Sequence, residues 1–197
     1  MVAPRGDRKL FVTGRSEGSR VQEPDPRTVA RARQGDLGAF EDLVRAYQAD
    51  VFRFAWHLTR DRTMAEDVTQ DAFLRVYRFF GTYRGDSRFS SWLFRIARNC
   101  AMDAMRRQRS HVARHERERP PVGYWTDPIA RAELDAALAA VSDDHREPFL
   151  LIEVFGLSYQ EAADVLGVRV GTVKSRMHRA RAALCRALAD DEEEEAQ

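Results

Sequence analysis

Apolar residues recur at three- and four-residue steps along most of this chain, a period that only helices can bury on one face. Phe40, Leu43, Val44 and Tyr47 are followed by Val51, Phe54, Ala55 and Leu58 in one such stripe. No stretch alternates β-branched with polar residues, and no segment repeats. A second helix is predicted from Met64 to Phe80. Gly81 to Ser87 (GTYRGDS) then breaks the pattern with two glycines. Ser90 or Ser91 is expected to cap a third helix that carries Trp92, Phe94, Ile96 and Ala97 on to Arg107. Phe79, Phe94 and Ile96 are read as core. Asp127 and Pro128 have the form of an N-cap followed by the first helical position. Helices are predicted over 128–140, 144–155, 158–166 and 170–188. Pro148 requires either that the second of these begins near Arg146 or that its first turn is distorted.

The expected fold is therefore all-α: two small helical domains joined by a flexible linker, the C-terminal one containing a helix-turn-helix. Residues 1–26 read as a flexible arm, 27–108 as the first domain, 109–127 as the linker, 128–189 as the second domain and 190–197 as an acidic tail. The chain is 44% apolar, enough for a core. It has no run of about 18 apolar residues, the length a membrane span needs, and no signal-like start. Membrane insertion is not expected, and a cytoplasmic location is. Cys100 and Cys185 lack any paired spacing, as in a reducing compartment. Each reads as a small apolar filler. His111 and His115 have a four-residue spacing that zinc can use, but no third ligand is near them in sequence. No metal or other cofactor is expected, and no nucleotide-binding, hydrolase or metalloprotease motif is present, so the chain is not read as an enzyme.

The net charge of +1 conceals a strong asymmetry. Asp190 to Glu195 are six consecutive acids, read as a disordered solubilising segment; without them 32 basic residues face 25 acidic ones. Only Lys9 and Lys174 are lysines, so the positive charge is almost all arginine, the cation that grips phosphate and guanine. Arg106, Arg107, Arg109, Arg114, Arg117 and Arg119 form one block. Arg169 to Arg186 form another, with six Lys/Arg and no acid. A one-sign block of this kind points to a polyanion.

Just before the second block, Ser158-Tyr159-Gln160-Glu161 is a capping box. Ala162, Ala163, Val165 and Leu166 form a short apolar face, and Gly167 supplies the left-handed stop. A second helix is expected from about Thr172, with Gly171 or Val170 as its cap. Val173, Met177, Ala180, Leu184 and Leu188 make its buried stripe, while Thr172, Ser175, Arg176 and Arg179 lie on a second face flanked by Lys174, His178 and Arg181. Short hydroxyls and arginine forks on such a helix suit the major groove of duplex DNA. The first domain has a different pattern. Phe79, Phe80, Tyr83, Phe89, Trp92 and Phe94 interleave with Arg84, Arg88, Arg95, Arg98, Arg106, Arg107 and Arg109. Rings that stack on bases, set among cations that track a backbone, suit unpaired nucleic acid. Tyr83 lies in the glycine-flanked loop, and Asn99 stands two helical turns after Trp92.

Four consecutive motifs, in this order, resemble a bacterial extracytoplasmic-function sigma factor of the sigma-70 family. They are GDLGAFEDLVRAYQADVFRFAWHLTRD (35–61), AEDVTQDAFLRVYRFF (65–80), TYRGDSRFSSWLFRIARNCAMDAMRR (82–107) and LSYQEAADVLGVRVGTVKSRMHRARAAL (157–184). The resemblance implies a factor that binds core RNA polymerase and directs it to promoter DNA. It implies that Glu66, Asp67, Gln70, Asp71 and Leu74 dock on polymerase. It assigns Tyr83, Arg84, Asp86, Ser87, Trp92, Arg95 and Asn99 to recognition and melting of the minus-ten element, with Arg106, Arg107 and Arg109 on backbone phosphate. Thr172, Lys174, Ser175, Arg176, His178 and Arg179 match the reader of the minus-thirty-five element. An anti-sigma factor is implied as a further partner. The rival reading is a stand-alone helix-turn-helix regulator, which leaves residues 64–109 without a role.

Overall fold

The computed structural model describes residues 21–110, Leu138 and 141–195. The N-terminal group of helices is α1 (Pro26–Arg33), α2 (Leu37–Thr59), α3 (Arg62–Phe79), a 3₁₀ turn (Phe80–Thr82) and α4 (Phe89–Ser110). The C-terminal group is α5 (Asp143–Phe149), a π turn (Leu150–Val154), α6 (Tyr159–Leu166) and α7 (Val170–Glu195). The all-α expectation and its division into two helical groups hold. The linker, the Asp127–Pro128 opening and the His111/His115 pair lie outside the described residues, as does the helix expected over 128–140 except for Leu138.

Aspartates set the starts of the first three helices. Asp25 accepts from the Arg27 amide at 2.8 Å, Asp36 from the Ala39 amide at 3.0 Å and Asp61 from the Met64 amide at 2.8 Å. Arg60 closes α2 in the left-handed region at φ 55°. The capping box opens α6: the Glu161 amide donates to Ser158 Oγ at 3.2 Å and the Ser158 amide to the Glu161 carboxylate at 2.7 Å. Gly167 ends α6 at φ +68°, where any side chain would be strained.

The start of α4 differs from expectation. It begins at Phe89, so Ser90 and Ser91 sit inside its first turn, both buried. The cap comes instead from the arm: Glu23 accepts from the Phe89 amide at 3.0 Å and the Ser90 amide at 3.3 Å. The end of the arm is thus held in the fold, with Val21 buried. The helix holding Pro148 starts at Asp143, and neither expected solution applies. Proline has no N–H to give, and the ladder beyond it widens: the Phe155 amide donates to the Leu150 carbonyl at 2.9 Å, a five-residue step. α7 begins at Val170, where the predicted span 170–188 starts and two residues before Thr172, because the Arg169 carbonyl already accepts from the Thr172 amide at 2.9 Å. It also continues through the acidic run to Glu195, since neither glycine nor proline interrupts it after Gly171.

The two groups share a single core. Phe155, from the C-terminal group, packs its ring against Phe94 of α4 at 4.7 Å and Phe54 of α2 at 5.8 Å between centroids. α6 lies along α4. Around this wedge, Arg98 of α4 holds Glu147 of α5 at 2.7 Å. Burial raises the Glu147 carboxyl above the ordinary range, and Arg98 offsets only part of that. Arg146 is buried and donates to the Leu138 carbonyl at 2.9 Å, the Val141 carbonyl at 2.5 Å, the Asp143 carboxylate at 2.7 Å and, across the interface, the His57 carbonyl at 3.4 Å. Phe155→Ala removes the wedge and is expected to cost about 3–5 kcal/mol. Urea unfolding followed by circular dichroism checks this, and a loss below about 1 kcal/mol would contradict the shared core.

Candidate nucleic-acid and partner interfaces

Three exposed surfaces carry the residues singled out in the sequence. The first is on α3, which shows two faces to solvent. Glu66, Gln70, Leu74 and Tyr77 line a groove of about 470 Å³ against Phe40, Val44, Gln48 and Phe52 of α2. Leu74 is 52% exposed, Tyr77 52% and Phe79 53%. Phe79 was expected in the core. The helix turns its ring outward because Val76 and Phe80 already fill the inward positions. Asp67 and Asp71 face the other way, into a cleft shared with Arg75, Cys100 and Arg107. There Arg75 bridges Asp71 at 2.9 Å and Asp103 at 3.2 Å. Burial, and then the Asp71 charge, push the Cys100 thiol up to about 12, so it stays protonated and inert. The five residues assigned to polymerase docking are therefore split between a groove and a cleft. Sequence reading missed Tyr77 and the α2 wall. The signal was available: Phe73, Leu74, Tyr77, Phe79 and Phe80 are more apolar residues than one helix face can bury.

The second surface is the loop before α4. Trp92 is 8% exposed and stacks on Phe80 at 5.8 Å and 13°, with the Tyr83 ring 5.1 Å away. It is therefore a floor beneath the loop. Tyr83 lies half-buried over it, its hydroxyl donating to the Ser87 carbonyl at 2.6 Å and its own carbonyl accepting from Arg33 at 3.3 Å. Burial, then the charges of Glu23 and Asp86, raise its phenol pKa. Arg84, Asp86 and Ser87 are exposed on the loop, and Arg95 and Asn99 are exposed along α4. Asn99 is not beside Trp92 at the surface: the tryptophan points inward and the asparagine outward. Arg106 pairs with Asp103 at 3.5 Å. Arg107 lines the α3–α4 cleft. The Arg109 side chain lies outside the described residues.

The third surface is the exposed face of α7. Lys174, Ser175, His178 and Arg179 are exposed, with Thr172 partly so, while Val173, Met177, Ala180 and Leu184 seal the helix onto its group. Arg176 departs from the expected grouping. It lies at the edge of the buried stripe, at 24% side-chain exposure, and faces Asp144 of α5 at 3.6 Å. Arg181 is likewise paired, with Glu153 at 2.5 Å. Among the described residues no cluster of three or more His, Cys, Asp or Glu is placed to hold a metal ion, and no helix is long and apolar enough to cross a membrane.

Known proteins resemble this chain in sequence and in fold. The family pattern described as Sigma-70 region 2 matches residues 43–111, and that described as Sigma-70, region 4 matches 131–184. The RNA polymerase sigma-H factor of Pseudomonas aeruginosa is 35% identical, the match covering 85% of this chain and 95% of that protein. The ECF RNA polymerase sigma factor SigM of Mycobacterium tuberculosis is also 35% identical, covering 87% and 88%. Among solved structures, CnrH in complex with the cytosolic domain of CnrY superposes with a TM-score of 0.63 at 30% identity, covering 83% of this chain and 96% of that one. The sigma factor RpoE of Bartonella quintana, solved with the anti-sigma factor NepR, gives 0.64 at 30%, covering 76% and 96%. With two region patterns in order and relatives aligned over most of their length, the chain belongs to the sigma-70 family, in its extracytoplasmic-function group.

Proposed function

We propose that this chain binds core RNA polymerase and directs promoter-specific initiation, with no covalent chemistry of its own. The observation that carries the reading is the presence, on one chain, of an apolar docking groove, an aromatic loop and a one-sign helix face, in the order of the two sigma regions. A stand-alone helix-turn-helix regulator uses only the last of these. Polymerase performs nucleotidyl transfer, and the factor supplies binding energy to bases exposed by melting, which offsets a cost of a few kcal/mol per flipped base.

Each surface takes one task. Gln70 and Leu74, with Glu66 at the rim, seat a polymerase helix in the α2–α3 groove, and Tyr77 extends the apolar contact. Asp67 and Asp71 flank this seat with negative charge. Tyr83 and Asn99 take unpaired minus-ten bases, and Trp92 holds Tyr83 in place. Arg84, Asp86, Ser87 and Arg95 border the site. Arg106, Arg107 and Arg109 hold phosphate. On α7, Lys174, Ser175, His178 and Arg179 enter the minus-thirty-five major groove, with Thr172 near its start. Arg176 contributes less, since Asp144 holds it toward α5. An anti-sigma protein is a fitting further partner, as RpoE was solved with one.

Reconstituted run-off transcription with core polymerase tests the whole reading: no added transcript, with the protein unable to associate with core, would overturn it. Leu74→Asp, at an exposed site, should leave the melting temperature unchanged and weaken core binding at least about tenfold by fluorescence anisotropy. Tyr83→Ala and Asn99→Ala should reduce promoter opening, read by permanganate reactivity of unpaired thymines, while core affinity stays at the wild-type value. Arg179→Ala should cost about 1–3 kcal/mol of discrimination between intact and mutated upstream elements. Arg176→Ala should cost clearly less in the same gel-shift comparison.

A further inference from the structure

Three consecutive residues at the end of the N-terminal arm bridge the two helical groups. The Val21 amide donates to the Phe155 carbonyl of the C-terminal group at 3.3 Å. The Gln22 carbonyl accepts from the Tyr47 hydroxyl of α2 at 2.5 Å. The Glu23 carboxylate caps α4 through two amides and pairs with Arg88 at 3.2 Å. Arg88 in turn reaches Glu161 of α6 at 3.6 Å. Burial pushes the Glu161 carboxyl up, but Ser158 and then Arg88 hold it below the ordinary glutamate range, so it stays charged for that contact. Glu23, Arg88 and Glu161 thus form a chain of alternating charge from the arm, through the start of α4, to the helix-turn-helix.

We propose that Val21–Glu23 is an intramolecular latch that holds the two helical groups closed, and that it must release before the chain can read a promoter. The consequence for transcription rests on the function proposed above; the latch itself does not. Elements named for positions about 25 base pairs apart are separated by about 85 Å of duplex at about 3.4 Å per step. In the closed form the two readers belong to helix groups in direct contact: α6 lies along α4, with Phe155 between Phe94 and Phe54. Both elements cannot be engaged until that contact parts. The Phe155 wedge supplies the apolar part of this interface, and the arm's hydrogen bonds and ion-pair chain add to it, so loss of the arm's contacts shifts the balance toward the open form. Glu23 suits such a role because helix capping and the Arg88 pairing both act through one carboxylate. Its departure uncaps α4 and frees Arg88 from the arm in a single step.

The test is an interspin distance measurement on the full chain. Spin labels go on native Cys185, which is exposed, and on an introduced Glu41→Cys in α2. Buried Cys100 stays unlabelled. The latch predicts one dominant short-distance population for otherwise unmodified protein. It predicts a several-fold larger extended population in both Glu23→Ala and Arg88→Glu, with helical content by circular dichroism unchanged. The second variant attacks the same chain of charge from its centre and leaves the arm intact. If both variants keep the wild-type distribution, or if the unmodified protein is already mostly extended, the latch is wrong. Neither polymerase nor DNA enters the measurement, so its failure is separate from a failure of the sigma-factor reading. In run-off transcription, the latch further predicts that Glu23→Ala reaches half-maximal transcript at a lower core concentration than wild type.

Discussion

The insertion of Phe155 between Phe94 and Phe54 is the contact on which the closed molecule depends. Domains of this size bury a smaller fraction of their surface than larger ones and are marginal alone. Here the shortage is met by sharing. Leu150, Leu151 and Phe155 of the C-terminal group are fully buried, and they join the N-terminal core in one continuous cluster. The π turn after Pro148 sits between α5 and Phe155, so a local defect in the helical ladder lies within the segment that delivers the wedge. Arg146 makes the arrangement tolerable in polar terms. Its guanidinium is buried but is spread over four oxygen acceptors, so little of its hydrogen-bonding capacity is stranded.

Function then follows from the faces that this core leaves uncovered. α4 gives Phe94 and Ala97 to the interior and turns Arg95 and Asn99 outward. α7 gives Val173, Met177 and Ala180 inward and leaves Lys174, Ser175, His178 and Arg179 exposed. α3 is the exception, because it exposes large apolar side chains next to polar ones. Leu74 and Tyr77, each at about half exposure, line one groove, an apolar surface of the type that marks protein binding.

The aromatic loop shows the same economy on a smaller scale. Phe80, Tyr83, Phe89 and Trp92 lie within about 6 Å of one another between ring centroids, in tilted, stacked and edge contacts. Rings that resemble stacking platforms for bases when read in a row are mostly used to support one another. Tyr83 alone among them is partly open, and its backbone and hydroxyl are both fixed by hydrogen bonds. A loop held in this way presents its side chains with little ordering left to do on binding.

Local rules were legible in the sequence: the helical class, the capping box at Ser158–Glu161, the left-handed stop at Gly167, the two-glycine break before α4 and the one-sign face of α7. Each depends on residues a few positions apart, and backbone hydrogen bonding over that range is dictated by the side chains present. What depended on distant residues was not legible. The cap of α4 comes from Glu23, 66 residues away from Phe89. The split of α3 into groove and cleft was set by where α2 and α4 pack, the outward turn of Phe79 by which neighbours had already filled the core, and the pairing of Arg176 by Asp144. The sequence by itself determined which segments are helices and which faces carry charge. Only the tertiary structure decided which faces stay open and that the two groups close on Phe155, because burial is a property of the assembled packing and periodicity is a property of one helix.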